Sequence, residues 1–312
     1  MSIPCYPDFS LMELDQKDTL HPRLSLTVDG VSEFTFSGLY LFRNRYKYRI
    51  SRDGQDGGFI ISGEQPAETA KFPAHVAAQR CYPQSKSFFM TPCGVPNQET
   101  LVSLFKTHDY WKNISESTLS SLRENFSGYG IIVEEDRNNF DYLYCRKDLA
   151  ELSGKKYHKK KNHVNQFLHM YPEHEKKTMS AELVPAAVEI LDQWRKDKGE
   201  DGDYNAAREA LDKFDSLTLR GEIYFIGGKP AGYCLGESIA RGRMFAIHFE
   251  KAIDEYKGIY QFMNQAFASA LPGFFTWINR EQDIGDEGLR QAKMTYRPSG
   301  FVQKYKGIRS NS

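Results

Sequence analysis

"EIYFIGGKPAGYCLGESIARGRMFAIHFE", residues Glu222 to Glu250, is the stretch on which the reading of the fold turns. It holds three runs rich in aromatic and branched residues, Glu222–Ile226, Gly232–Ser238 and Met244–Glu250, and each reads as a strand. Gly227-Gly228-Lys229-Pro230 and Ala240-Arg241-Gly242-Arg243 supply the turns between them. The stretch therefore predicts three consecutive antiparallel strands.

The elements around it extend the pattern. Upstream, Ser180–Lys196 places Leu183, Ala187, Ile190, Leu191 and Trp194 on one helical stripe, and Asp203–Phe214 reads as a second helix. Downstream, a helix from about Lys257 to Leu271 is stopped by Pro272-Gly273. Phe274–Ile278 follows as a buried strand, Gly285–Thr295 as a helix and Phe301–Gly307 as a last strand. The first half reads as sheet with late helices. Leu24–Val28 and Glu33–Ile50 are taken as strands, helices begin near Asn97 and Ser117, and Ile131–Glu135 with Phe140–Tyr144 is taken as a hairpin.

Bulk properties narrow the function classes. The chain has 312 residues, 40% of them hydrophobic and 26% charged, enough to bury real cores. Its 41 basic and 41 acidic residues cancel, which argues against a dedicated nucleic-acid coat. Cys5, Cys81, Cys93, Cys145 and Cys234 are scattered and never spaced C-x-x-C, so a disulfide framework or zinc ribbon is not expected. The N-terminus has neither a basic start nor an apolar core, and no apolar run approaches the roughly 20 residues that cross a bilayer. A reduced, cytoplasmic protein is the expectation.

In order, the second half runs helix, helix, three antiparallel strands, helix, strand, helix, strand. That order resembles the acyltransferase fold of the GNAT superfamily, and the first half resembles a rougher copy of the same plan. The expected class is α+β, with two tandem GNAT-like domains, each a mixed, mainly antiparallel sheet flanked by helices. Residues 1–154 would be a divergent N-terminal domain, 155–177 a basic connector helix, and 178–312 a C-terminal domain holding the cleft.

Three segments carry a more specific resemblance: "DLAELSGKKYHKKKNHVNQF" (Asp148 to Phe167), "HFEKAIDEYKGIYQ" (His248 to Gln261) and "WINREQDIGDEGLRQAKMTYRP" (Trp277 to Pro298). Together they resemble a bacterial family related to the phosphatidylglycerol lysyltransferase C-terminal domain. The wider group includes the aminoacyl-transferring domains of lipid lysinylation and the Fem-type enzymes of cell-wall peptide branching. The resemblance implies a reactive cleft in the second domain and leaves the substrate open.

The candidate site residues follow from strand and loop position. On Met244–Glu250, alternation puts Ala246, His248 and Glu250 on one face, so that His248 or Glu250 could take a proton from an attacking amine. A satisfied core histidine and a solvated strand end are the plain alternatives. Tyr296 lies where GNAT enzymes often place a general-acid tyrosine. Gly258 matches the middle glycine of the loop that holds the coenzyme A pyrophosphate in acetyltransferases of this fold. Glu255 and Tyr260 depart from that loop, one repelling and one crowding a pyrophosphate. Coenzyme A is therefore disfavoured as donor, which favours a donor such as aminoacyl-tRNA or no donor at all.

The polar loop Asn279–Gly288 follows a buried strand. Within it Asn279 is a contact candidate, Arg280 suits a carboxylate or phosphate, and Glu281 and Asp283 suit an ammonium, with Arg290 and Lys293 on the next helix adding positive charge. Salt bridges among these residues are the competing account. In "GKKYHKKKNHVNQF", residues 154 to 167, Tyr157, Val164, Phe167 and Leu168 form a narrow apolar stripe. The plain reading is a solvated connector helix. The sharper one is contact of Lys159, Lys160 and Lys161 with tRNA phosphates or an anionic head group. No metal site is expected, because His158 and His163 are five residues apart and share no helix face.

Two functions remain. One is a transferase moving an activated acyl or aminoacyl group to an amine or hydroxyl, with a small molecule or aminoacyl-tRNA as ligand and peripheral contact with anionic lipid left open. The other is a non-catalytic ligand-binding or regulatory descendant of the same fold.

Overall fold

The three strands read from Glu222–Glu250 form the centre of one sheet. They are β9 (Arg220–Ile226), β10 (Lys229–Ile239) and β11 (Met244–Ala252), paired antiparallel in that order. β8 (His174–Thr178) lies antiparallel outside β9. On the other side β11 pairs parallel with β12 (Trp277–Asn279). The helix Ile259–Ala270 makes the crossover that a parallel step requires. β7 (Asp141–Cys145) and then β13 (Gly300–Val302) complete the sheet, both antiparallel to their neighbours. The computed structural model describes residues 2–54, 58–66, 85–125 and 130–309; Cys81 lies outside them.

A second sheet has the same plan. β1 (Ser10–Leu11), β2 (Arg49–Arg52), β3 (Phe59–Gln65) and β4 (Lys86–Met90) are antiparallel in sequence. β5 (Tyr110–Ile114) then joins β4 in parallel through the helix Gln98–Thr107. β14 (Tyr305–Arg309) and β6 (Ile131–Glu135) close the sheet antiparallel. Each sheet thus has four antiparallel strands, a helix-crossed parallel step, one strand from far along the chain, and an edge strand. The protein is α+β, with two tandem GNAT-like units.

The units are not the sequential halves expected. Unit 1 comprises Met1–Leu24, Phe42–Arg137 and Gln303–Ser312, and unit 2 comprises Ser25–Leu41 and Asn138–Val302. The boundary at 154 and the connector at 155–177 both fall inside unit 2, and the end of that connector is strand β8. The cause is strand exchange along the chain. Ile131–Glu135 and Phe140–Tyr144 do not form a hairpin: β6 pairs with β14, whereas β7 pairs with β12 and β13. The last expected strand is likewise two strands, β13 and β14, in different sheets.

Two early strands are also corrected. Leu24 ends the helix Lys17–Leu24, and most of Glu33–Ile50 is the helix Phe36–Tyr46, with only its end in β2. Phe36, Leu39 and Tyr40 are buried at three- and four-residue spacing. That period, not the aromatic and branched composition, decides the element.

Val164 and Phe167 of the helix His158–Met170 are buried in the core of unit 2, with Tyr157 just before the helix; Leu168 is exposed. The core also takes Phe245 and Ile247 from β11 and Phe262, Met263 and Phe267 from the crossover helix. Phe167 stacks on Phe262 at 4.4 Å. The basic helix is thereby fixed directly over the crossover helix.

Candidate functional site

The parallel step between β11 and β12 is short. Met244–Ala246 pairs with Trp277–Asn279, and β11 then runs on to Ala252. The chain after Asn279 turns away, with Glu281 in the left-handed region at φ 56°. The two strands diverge, and their neighbouring side chains meet across the opening.

A bulge decides which side chains those are. Leu235 pairs with Phe249 but Gly236 pairs with Ile247, which leaves His248 as the extra residue of β11. A Cβ at Gly236 would collide with the Ala246 carbonyl, so glycine is what permits the approach. The bulge overturns the expectation that His248 and Glu250 share a face. His248 reaches Glu237, whose cross-strand partner is Ala246. Glu250 lies opposite Cys234, on the face covered by the crossover helix.

On that face the Arg280 guanidinium donates to Glu250 at 2.7 Å, and Asn264 Nδ2 of the crossover helix donates to the other carboxylate oxygen at 2.8 Å. Arg280 lies 5.2 Å from the Tyr296 ring centroid and 6.0 Å from that of Tyr144. Tyr144 Oη donates to the Lys293 carbonyl, whereas among the described residues the buried Tyr296 hydroxyl makes no hydrogen bond of good geometry, although Arg280 acts on it. Burial pushes the Tyr296 hydroxyl up to about 12, against the opposing pull of Arg280, so it is protonated at neutral pH. Lys160 lies over the same ring at 3.9 Å. Burial, and then Arg280, lowers its ammonium from the usual lysine range. Of the three lysines Lys159, Lys160 and Lys161, the first and last are exposed and Lys160 is half-buried.

The other face holds a buried ionic triad. His248 Nε2 is 3.0 Å from Glu237 and Nδ1 is 2.7 Å from Glu281. Burial alone would lower the imidazole, but the two carboxylates outweigh it and raise it to about 10. Both nitrogens then carry protons and both face carboxylates, a geometry that holds a strand and leaves no lone pair for a substrate proton.

The remaining loop candidates turn inward. Asn279 is fully buried and donates to the Gly30 carbonyl at 2.9 Å and to Asp141 at 3.1 Å. Its carbonyl accepts from the Glu281 amide. Asp283 accepts two hydrogen bonds from Arg290, one from Tyr142 Oη at 2.6 Å and one from the Gly285 amide. Burial would raise its carboxyl, but these donors hold it well below the usual range. Lys293 donates to the carbonyls of Arg280, Glu281 and Gln282 at 2.6, 3.2 and 2.6 Å. Burial and then Arg280 bring that ammonium down to about 8. From this loop the structure brings Arg280 alone to the opening beside Glu250.

Gly258 sits at φ 87°, and a Cβ there would stand 2.9 Å from the His163 carbonyl oxygen. Its glycine is thus explained by the basic helix crossing the start of helix Ile259–Ala270. Tyr260 Oη bridges the amide and carbonyl of Ala252 at 3.3 Å each, closing the end of β11. Among the described residues no group of three His, Cys, Asp or Glu could hold a metal ion, and no helix is long and apolar enough to cross a membrane.

Sequence reasoning missed Tyr144, Asn264 and Glu237. Asn264 carried a signal, a short amide on the helix face that also bears Phe267 and Ala268. Tyr144 carried none, because its strand was assigned to a local hairpin.

Two units, each a mixed sheet with one helix-crossed parallel step, give the chain a GNAT-like fold. Residues 25–306 match the family model "Phosphatidylglycerol lysyltransferase, C-terminal", and the chain belongs to that family. An uncharacterized protein of Mycoplasmoides gallisepticum is 25% identical over 309 residues, covering 94% of this chain and 97% of its own. The crystal structure of a conserved protein of unknown function from Bacteroides thetaiotaomicron is 25% identical with a TM-score of 0.81, over 97% of this chain and 99% of that one. The C-terminal domain of an Agrobacterium fabrum protein assigned as a lysylphosphatidylglycerol synthetase shares the fold. It has a TM-score of 0.60 and 11% identity, over 96% of this chain and 93% of that one.

Proposed function

We propose that this protein transfers an activated aminoacyl or acyl group from an ester donor to an amine or hydroxyl acceptor at the opening between β11 and β12. The observation that carries the reading is the Glu250–Arg280 pair beside the buried, protonated Tyr296 hydroxyl. In this reading Glu250 takes the proton of the attacking nucleophile, Arg280 and Asn264 orient that carboxylate, and Tyr296 donates to the leaving oxygen. No covalent intermediate on the protein is required.

Three features favour aminoacyl-tRNA over coenzyme A as donor. Glu255 would repel a pyrophosphate, the Gly258 turn is covered by His163, and Tyr260 already satisfies the Ala252 backbone groups. Lys159 and Lys161 are free to meet an RNA backbone or, as a peripheral contact, an anionic lipid. A cytoplasmic location accords with such a donor. The second reading, a non-catalytic ligand-binding protein, is favoured by the inward pairing of Glu281, Asp283, Arg290 and Lys293.

The test is label transfer. A mixture of radiolabelled aminoacyl-tRNAs is incubated with the protein and with a panel of amines and phosphatidylglycerol vesicles. Transfer is expected with wild type and is expected to fall at least about 100-fold in Glu250→Gln. Absence of transfer from every donor would leave the non-catalytic reading, and tight coenzyme A binding by calorimetry would overturn the choice of donor.

A further inference from the structure

We infer that unit 1 carries a second chemical site, an esterase centre in which Ser62 is the nucleophile and His108 its general base. None of its residues takes part in the site of unit 2, so either can fail while the other stands.

Ser62 stands in β3, and His108 caps the C-terminus of the helix Gln98–Thr107. Ser62 Oγ lies 2.8 Å from His108 Nε2. The other ring nitrogen, Nδ1, is 3.1 Å from the Leu104 carbonyl, which can only accept. The Thr107 hydroxyl is 3.0 Å from Nδ1 but gives its own proton to that same carbonyl. This network assigns the proton of the neutral ring to Nδ1 and leaves the Nε2 lone pair facing the Ser62 hydroxyl. That hydroxyl makes no other hydrogen bond among the described residues. Burial lowers the imidazole from its ordinary value, which keeps it in the base form at neutral pH. A nucleophile, a base within hydrogen-bond reach and a third group that orients the base are what activates a serine. Here the third group is a carbonyl at a helix C-terminus, whose dipole also stabilises the imidazolium formed when Ser62 loses its proton.

The pair opens onto a cavity of about 550 Å³, room for a small ester. β3 lies between β2 and β4, so its amides are committed to the sheet and cannot hold an oxyanion. Arg49 is the residue of β2 directly opposite Ser62, on the same face. Its guanidinium donates to the Phe9 carbonyl at 3.0 Å and has further N–H groups to meet the oxyanion. Around the cavity Arg43, Lys47 and Arg49 outnumber Glu13 and Glu64, which suits a neutral or anionic carboxylic ester over a cationic one.

The reaction is hydrolysis. Ser62 Oγ bonds to the ester carbonyl carbon while its proton passes to His108 Nε2. The tetrahedral oxyanion collapses, the bond from carbon to the alkoxy oxygen breaks, and Nε2 returns the proton to the departing alcohol. Water then attacks the acyl-serine by the same route, releasing the acid and restoring Ser62.

The full chain, as wild type, Ser62→Ala, His108→Gln and Arg49→Met, is treated with a fluorophosphonate probe, and the modified peptide is located by mass spectrometry. Hydrolysis of p-nitrophenyl acetate is followed alongside, and urea unfolding confirms that each variant is folded. A phosphonyl adduct on Ser62 is expected in wild type. Labelling and hydrolysis should fall at least about 100-fold in His108→Gln, and hydrolysis about 100-fold in Arg49→Met. No adduct on Ser62 in wild type, or labelling at the same rate in folded His108→Gln, would overturn the site. So would ester hydrolysis that is undiminished in Ser62→Ala.

Discussion

Arg280 and Glu250 meet at 2.7 Å across the point where β11 and β12 part, so one ion pair joins the two strands that the backbone no longer connects. Their side chains are 16% and 12% exposed, which makes this a largely buried pair. Removing one partner strands the other charge away from water. Glu250→Ala is expected to destabilise unit 2 by about 3 kcal/mol, read as a shift of the urea midpoint at unchanged slope. Arg280→Met in that background should restore part of the loss. Fully additive costs in the double variant would show that the pair is not coupled.

The buried Tyr296 hydroxyl leads to an opposite expectation for stability. Removing a polar atom that lacks a hydrogen bond relieves its desolvation cost while the ring keeps its packing. Tyr296→Phe should therefore leave stability unchanged or raise it by about 1 kcal/mol, while label transfer falls. A clear loss of stability in the urea midpoint would mean that the hydroxyl has a partner.

The Glu237–His248–Glu281 triad predicts a pH dependence. His248 is raised to about 10 from an ordinary value of 6.5. A raised imidazole stabilises the fold fully below the unfolded value and loses that contribution as pH rises toward the folded one. Stability of wild type relative to His248→Gln should hence be largest near pH 6 and shrink between roughly 6.5 and 10, by at most about 1.4 kcal/mol per pH unit. Urea midpoints for both proteins across that window check it; a constant difference would place the imidazole outside the triad.

How much of this was legible follows from which interactions are local. β9, β10 and β11 were readable because their runs of aromatic and branched residues, buried almost throughout, and the turns between them lie within single segments. The buried stripe of Val164 and Phe167 was readable for the same reason, at helical period. The exchange of β7 and β14 was not, because their partners lie more than a hundred residues away and nothing in Asp141–Cys145 or Tyr305–Arg309 names them. Glu250 was named as a candidate, but on the wrong face. One unpaired residue at His248 reverses the parity of every later side chain on β11, and the sequence carries only Gly236 as a trace of it. Arg280 was chosen for its loop position, and the loop's inward ion pairs were weighed as the competing account. Their geometry now separates Arg280 from Asp283, Arg290 and Lys293.

Gly258 is the last position where a single atom decides. Its φ of 87° is strained for any residue with a side chain, and its missing Cβ is the gap through which the His163 carbonyl approaches. Gly258→Ala should force the basic helix away from the crossover helix and disturb the stacking of Phe167 on Phe262. The expected cost is about 2 kcal/mol in the urea midpoint. Lys159→Ala with Lys161→Ala, by contrast, should leave the midpoint within about 0.5 kcal/mol, since both ammoniums are solvated. A Gly258→Ala protein with wild-type stability would show that the basic helix is not held by this contact.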